Sequence, residues 1–182
     1  LSDMKWIFVL LATSTVAIAE TCPDVADRSA ELIRLYDDLA ASQNEAEAQQ
    51  LNQRLWEIWT DAPDAKSQAL LDEGIDRRAV YDFLGARDTL DALVEYCPDY
   101  AEGYNQRAFA NYLRQDFKTA LVDLDRTLAI NPRHIGALSG KALTLMGLGR
   151  QDEAQIVLRA ALALNPWLSE RALLIEPAGE DI

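Results

Sequence analysis

The chain is poor in the residues that carry most protein chemistry: among 182 residues there are two cysteines and a single histidine. Most zinc sites and every Ser-His or Cys-His nucleophile arrangement would have to draw on that one His134. Basic residues are also scarce, with 17 Lys plus Arg against 30 Asp plus Glu and a formal charge of -13. A chain that holds nucleic acid through its phosphates needs a basic footprint, and docking on an anionic membrane needs one too, so neither fits this balance. Eight glycines and six prolines are too few for a collagen-like or low-complexity chain. No apolar run approaches the length of about 20 residues that a membrane helix needs. What is present, 49% hydrophobic and 26% charged residues, is the composition of a folded domain.

The longest apolar run, Trp6 to Ala17, follows Met4 and Lys5 and is followed by Ala17-Ile18-Ala19. A basic residue, a short apolar stretch and small residues before a cut are the three parts of a secretory leader, so residues 1–19 are expected to be a signal peptide. The remainder is then expected in the periplasm or cell envelope of a bacterium, with no span of the membrane. Export places Cys22 and Cys97, each in a Cys-Pro-Asp triplet, where they can be joined. A loop of this size would add about 4 kcal/mol in the chain-entropy account.

Displacing the sequence by 34 residues aligns Pro98, Pro132 and Pro166, and independently Ala86, Ala120 and Ala154. Two such ladders at one period mean a repeat. Leu90, Leu124 and Leu158 agree, as do Gly74, Ala108 and Ala142, giving units at 67–100, 101–134 and 135–168. Each unit reads as two helices. Small residues at Gly74, Ala108 and Ala142 let the second helix approach the first, turns fall at Asp82, at Gln115-Asp116 and at Gly149-Arg150, and a proline closes the unit. Residues 20–66 form a further, degenerate hairpin: Leu32, Leu35, Tyr36 and Leu39 make one stripe, Leu51, Leu55, Ile58 and Trp59 another, and Ser42-Gln43-Asn44 the turn. Residues 169–182 are expected to supply a short capping helix and an acidic tail.

In these rows the chain resembles the tetratricopeptide repeat (TPR) family of 34-residue helical hairpins. The segment 101–134 is the closest copy, with Tyr104, Ala108, Phe117, Ala120 and Pro132 in place. Gln151 stands where an aromatic is usual, and Arg107 and Lys141 where leucine is commoner. The resemblance implies an all-α solenoid and a role as a noncatalytic adaptor binding a peptide or helix. The concave lining would comprise Leu71, Ile75 and Arg78, then Asn105, Phe109 and Tyr112, then Ser139, Leu143 and Met146. Some family members clamp a terminal carboxylate with basic residues, but Gln68, Leu71, Asp72, Ile75 and Glu102 occupy those places here. The alternative is a structural or oligomerisation role in which the first hairpin or the terminal helix fills the groove.

Nothing in the sequence assembles a catalytic group or implies a cofactor. His134 falls in the turn between two units and reads as a packing or capping residue. Asp82, Asp116, Asp123 and Asp125 are spaced as turn residues and solvated faces. Gly147-Leu148-Gly149 lacks the preceding strand and further glycine of a phosphate loop. The cysteines add a geometric condition. In a regular stack Cys22 begins one hairpin and Cys97 ends the next, so a bridge with Cα atoms about 6 Å apart predicts that the first hairpin folds back.

Overall fold

The computed structural model describes residues 21–175. The expected leader at 1–19 and the tail beyond Ile175 lie outside the described residues. The described chain contains eight α-helices and no strand: α1 (Ser29–Ala40), α2 (Glu45–Trp59), α3 (Ala65–Ala79), α4 (Phe83–Tyr96), α5 (Ala101–Leu113), α6 (Phe117–Ile130), α7 (Ile135–Gly147) and α8 (Gln151–Leu164), followed by a 3₁₀ turn at Ser169–Leu173.

Five of the eight helices, α2, α3, α4, α6 and α7, start on side chains that accept the otherwise orphaned first-turn amides. Asn44 caps α2, Asp82 caps α4 and Asp116 caps α6. Asp64 and Ser67 form a reciprocal capping box on α3. Each intra-unit turn passes through one residue with left-handed backbone, Tyr81 at φ 66°, Gln115 at φ 61° and Gly149 at φ 72°. Only the last has the residue that tolerates this conformation without cost.

Helices α3 and α4, α5 and α6, and α7 and α8 pack as hairpins, and α4 on α5 and α6 on α7 join them into a stack. Gly74 makes the first hairpin of the stack tight, since a Cβ there would stand 2.6 Å from Leu90 Cγ. Arg107 and Lys141 depart from leucine for one reason: each reaches back to an acid on the second helix of the preceding unit. Arg107 meets Asp91 at 2.8 Å and Lys141 meets Asp125 at 2.6 Å, pairs that themselves repeat at the unit spacing. Arg107 also forms a bidentate pair with Asp123, at 2.9 and 2.6 Å. Asp123 is buried, at 2% exposure, and not on a solvated face as its spacing suggested. Arg107 supplies the reason, because it brings a partner for the carboxylate inside.

The α1–α2 hairpin does not extend the stack. It lies along the edge where successive units meet, across the turns that lead into α5, α7 and the 3₁₀ turn. Leu35, Tyr36, Leu39, Ala48 and Leu55 are buried with Ile135, and Leu164, Trp167 and Leu168 pack against them. A fully buried side chain of this size contributes about 2 kcal/mol, so the cluster fixes the hairpin firmly. Polar contacts mark the same path: Tyr100 Oη donates to the Trp59 carbonyl at 2.7 Å, Arg133 reaches Asp37 at 3.3 Å, and Trp167 Nε1 donates to the Ser42 carbonyl at 3.3 Å. A disulfide joins Cys22 to Cys97 across Cα atoms 5.2 Å apart, and the folded-back hairpin that such a bridge requires is present. The capping segment is a short 3₁₀ helix, held to α8 by Gln155, which donates to the Leu173 carbonyl at 3.0 Å and accepts from Ile175 N at 2.8 Å.

Candidate functional site

First helices α3, α5 and α7 line one face of the stack, and a cavity of about 350 Å³ opens there. Its walls include Arg78 from α3, Asn105, Phe109 and Tyr112 from α5, and Ser139 and Leu143 from α7, all expected from the spacing. Leu71 does not join them. It is fully buried at 0% exposure in the cluster around Leu90, Leu93 and Tyr100, and Ile75 packs on the same cluster. Met146 is half-buried and lies outside the cavity lining. The α3 face is turned further into the stack than regular spacing implies, so of its three expected residues only Arg78, the penultimate residue of the helix, reaches the cavity.

Other walls come from outside the three first helices. Trp56 of α2 contributes from the folded-back hairpin, Leu168 from the end of the third unit, and Glu170 from the capping segment. Ser139 Oγ donates to Glu170 at 2.7 Å, drawing that segment over α7. The groove is therefore narrowed at its edge and at its far end. Phe109 is the large apolar residue left most open, at 45% exposure, while Tyr112 leans on Phe117 with ring centroids 5.5 Å apart.

Beneath the cavity runs a buried polar chain. Arg78 Nη1 donates to Gln106 Oε1, and Gln106 Nε2 donates to Glu102 Oε1. Asn105 Nδ2 also donates to Glu102, at 3.1 Å, and the other carboxylate oxygen meets His134 Nε2 at 2.8 Å. His134 Nδ1 accepts the Ala137 amide at 3.2 Å, which makes His134 the N-cap of α7. With Nδ1 accepting, the neutral ring carries its proton on Nε2 and gives it to Glu102. Trp59 stacks on the ring at 4.0 Å between centroids. Both ring nitrogens are thus engaged, and the capping role expected of His134 is the one it has. Glu102, Asn105, Gln106 and Phe109 share one helical face, a periodicity that could have exposed the chain from sequence. Trp56, Trp59 and Glu170 had no such signal, because they arrive from outside the period.

The electrostatics at the mouth are asymmetric. Burial lowers the Arg78 pKa, partly offset by the charge of Glu102. The guanidinium lies over the Phe109 ring at 4.4 Å, a cation–π contact that spreads but does not neutralise its charge.

Over 150 residues the sequence is 31% identical to a TPR repeat-containing protein of Rhizobium etli, covering 81% of this chain and 67% of that one. The chain belongs to the tetratricopeptide repeat family. A tetratricopeptide repeat protein 36 homolog of Nematostella vectensis is 34% identical over 70 residues, 38% of each chain. No family model matches this TPR protein. Solved structures share its fold. The first TPR domain of Spaghetti (RPAP3), bound to an HSP90 peptide, superposes with a TM-score of 0.58 at 21% identity, over 59% of this chain and 86% of that one. The TPR2B domain of yeast Sti1 in its pHsp70 complex gives 0.56 at 21% identity, over 60% and 90%. MamA gives 0.54 at 21%, over 66% and 68%.

Proposed function

We propose that this TPR protein is a noncatalytic interaction module of the bacterial periplasm or cell envelope, and that it holds a peptide in the concave cavity between α3, α5 and α7. The cavity carries the proposal: rigid helices present Phe109, Tyr112 and Leu143 around about 350 Å³ of space, and preorganised apolar anchors are what give peptide recognition its affinity. The RPAP3 and Sti1 domains, whose structures contain HSP90 and pHsp70 partners, support peptide binding on this fold. The leader-like residues 1–19 and the Cys22–Cys97 bridge support an oxidising, exported setting. Trp56, Leu168 and Glu170 at the cavity wall favour a short inserted segment over a helix lying along the whole groove.

Phe109→Ala tests the proposal, because the ring is half open and carries little of the core. Affinity capture from envelope extract should return a partner with the native chain and lose it with the variant, while the circular dichroism of both stays helical. Equal capture by both proteins would remove the cavity from the binding surface. A structural role without exchangeable ligand would then stand, supported by the hairpin that already covers the groove's edge.

A further inference from the structure

Resting on the peptide-binding proposal above, we infer that the cavity selects a large apolar side chain with a carboxylate beside it, the carboxylate pairing with Arg78. Three independent features of the site lead there. The guanidinium stands at the α3 end of the cavity, stacked on Phe109, and among the described residues its one hydrogen-bond partner is the neutral carbonyl of Gln106. The nearest acid of the buried chain, Glu102, is spent on Gln106, Asn105 and His134. A planar guanidinium with several free N–H groups and no direct counter-ion matches a carboxylate in both charge and shape.

The α7 wall of the cavity is bare: it presents Gly136 and Gly140 to the same space. A Cβ at Gly136 would meet nothing closer than 3.4 Å, so packing does not require glycine there, and the helix backbone is left bare where an occupant would lie.

Glu170 sets the direction. It lies at the opposite end of the cavity, against Ser139, where it repels a second acid and leaves the α3 end as the one that receives negative charge. The volume, near the lower end of the roughly 300–1,000 Å³ usual for ligand pockets, takes an anchor side chain and its neighbour. The acid could be an Asp or Glu side chain or a chain terminus, which have the same chemistry at Arg78. Arg78 stands outside the first-helix places where the family's carboxylate clamp would fall.

Selection of displayed random heptapeptides on the whole protein tests this, with one library presented internally and one with free carboxyl termini. Enriched sequences should place Phe, Tyr, Trp or Leu next to an acid, or next to the free terminus in the second library. A synthetic winner should lose about tenfold in affinity when its acid becomes the amide. Arg78→Gln should bind acid and amide forms alike, Arg78→Lys should restore part of the preference, and melting curves should confirm that both variants are folded. Enrichment of apolar anchors without acids, or an acid preference that survives Arg78→Gln in a folded protein, overturns the role of Arg78 while leaving the cavity as a peptide site. If neither library enriches, both proposals fall.

Discussion

Asp123 is an acid placed inside, and its worth depends wholly on Arg107. Side-chain exposure is 3% for Asp123 and 20% for Arg107, so the pair is largely shielded from water. Burial pushes the Asp123 carboxyl above its usual range, and the hydrogen bonds and charge of Arg107 oppose that. Removing one partner of such a pair strands the other charge, whereas replacing both with apolar groups is often nearly neutral. The third unit shows the apolar solution, since Val157 stands one period after Asp123. Arg107→Leu should therefore cost about 3 kcal/mol in urea unfolding. Arg107→Leu combined with Asp123→Val should return to within about 1 kcal/mol of the native chain. Additive losses in the double variant would show that the pair holds the helices and does not merely neutralise itself. The substitution for leucine at 107 was visible in the sequence, but its partner was not, because Asp123 has the spacing of an exposed helix face and only a contact across the turn explains its burial.

Among the helices, the capping pattern makes a sharper test. Asp82 and Asp116 hold their N-cap backbones at φ -80°, ψ 67° and φ -83°, ψ 65°, and Arg150, one period on, has φ -88°, ψ 61° with no side-chain cap. The backbone of α8 is therefore already shaped for a cap that its residue does not provide. Arg150→Asn should raise the melting temperature, with the ion pair to Glu153 as the loss it must outweigh; a lower value would mean that the pair matters more than the missing cap. At α3 the cap titrates. The Ser67 amide and hydroxyl, with Tyr96 Oη, hold the Asp64 carboxyl below its ordinary 3.8. A depressed acid stabilises the fold above the unfolded value and loses that contribution as the pH falls through its folded pKa. The advantage of the native chain over Asp64→Asn should thus be level at neutral pH and shrink below about pH 3.8, measured as the denaturant midpoint. A constant difference into acid would mean that the charge of Asp64 contributes nothing. These helices were legible because small, apolar and proline positions recur with one period. The cavity they line was legible only in part, since Leu71 follows the same period as Asn105 and Ser139 yet points into the core.

On the scale of the whole molecule, the α1–α2 hairpin works as a strut. It is tied to the first unit through Cys22–Cys97 and through the chain into α3, and its tip reaches Trp167 at the end of the last unit. A repeat array is held mainly by nearest neighbours, so a contact from the first unit to the last adds a long-range constraint to a fold otherwise built from local ones. The two stripes of this hairpin could be read from the sequence, and the fold-back followed from the cysteines if they joined. The landing place could not, because the stack of Trp59 on His134 joins residues that share no period. Three of the four tryptophans, Trp56, Trp59 and Trp167, belong to the hairpin or its contact surface, so tryptophan fluorescence reports docking while far-ultraviolet dichroism reports helix. In the oxidised protein the two signals should unfold together. Reduction opens a loop of 75 residues, with a loss of up to about 4 kcal/mol on the chain-entropy account. Because the bridge secures only the hairpin and the first unit, that loss should fall there: the fluorescence transition moves to lower denaturant and separates from the dichroism of the remaining stack. Coincident curves shifted by the same amount would mean that strut and stack unfold as one unit, and unshifted curves that the buried cluster alone holds the hairpin in place.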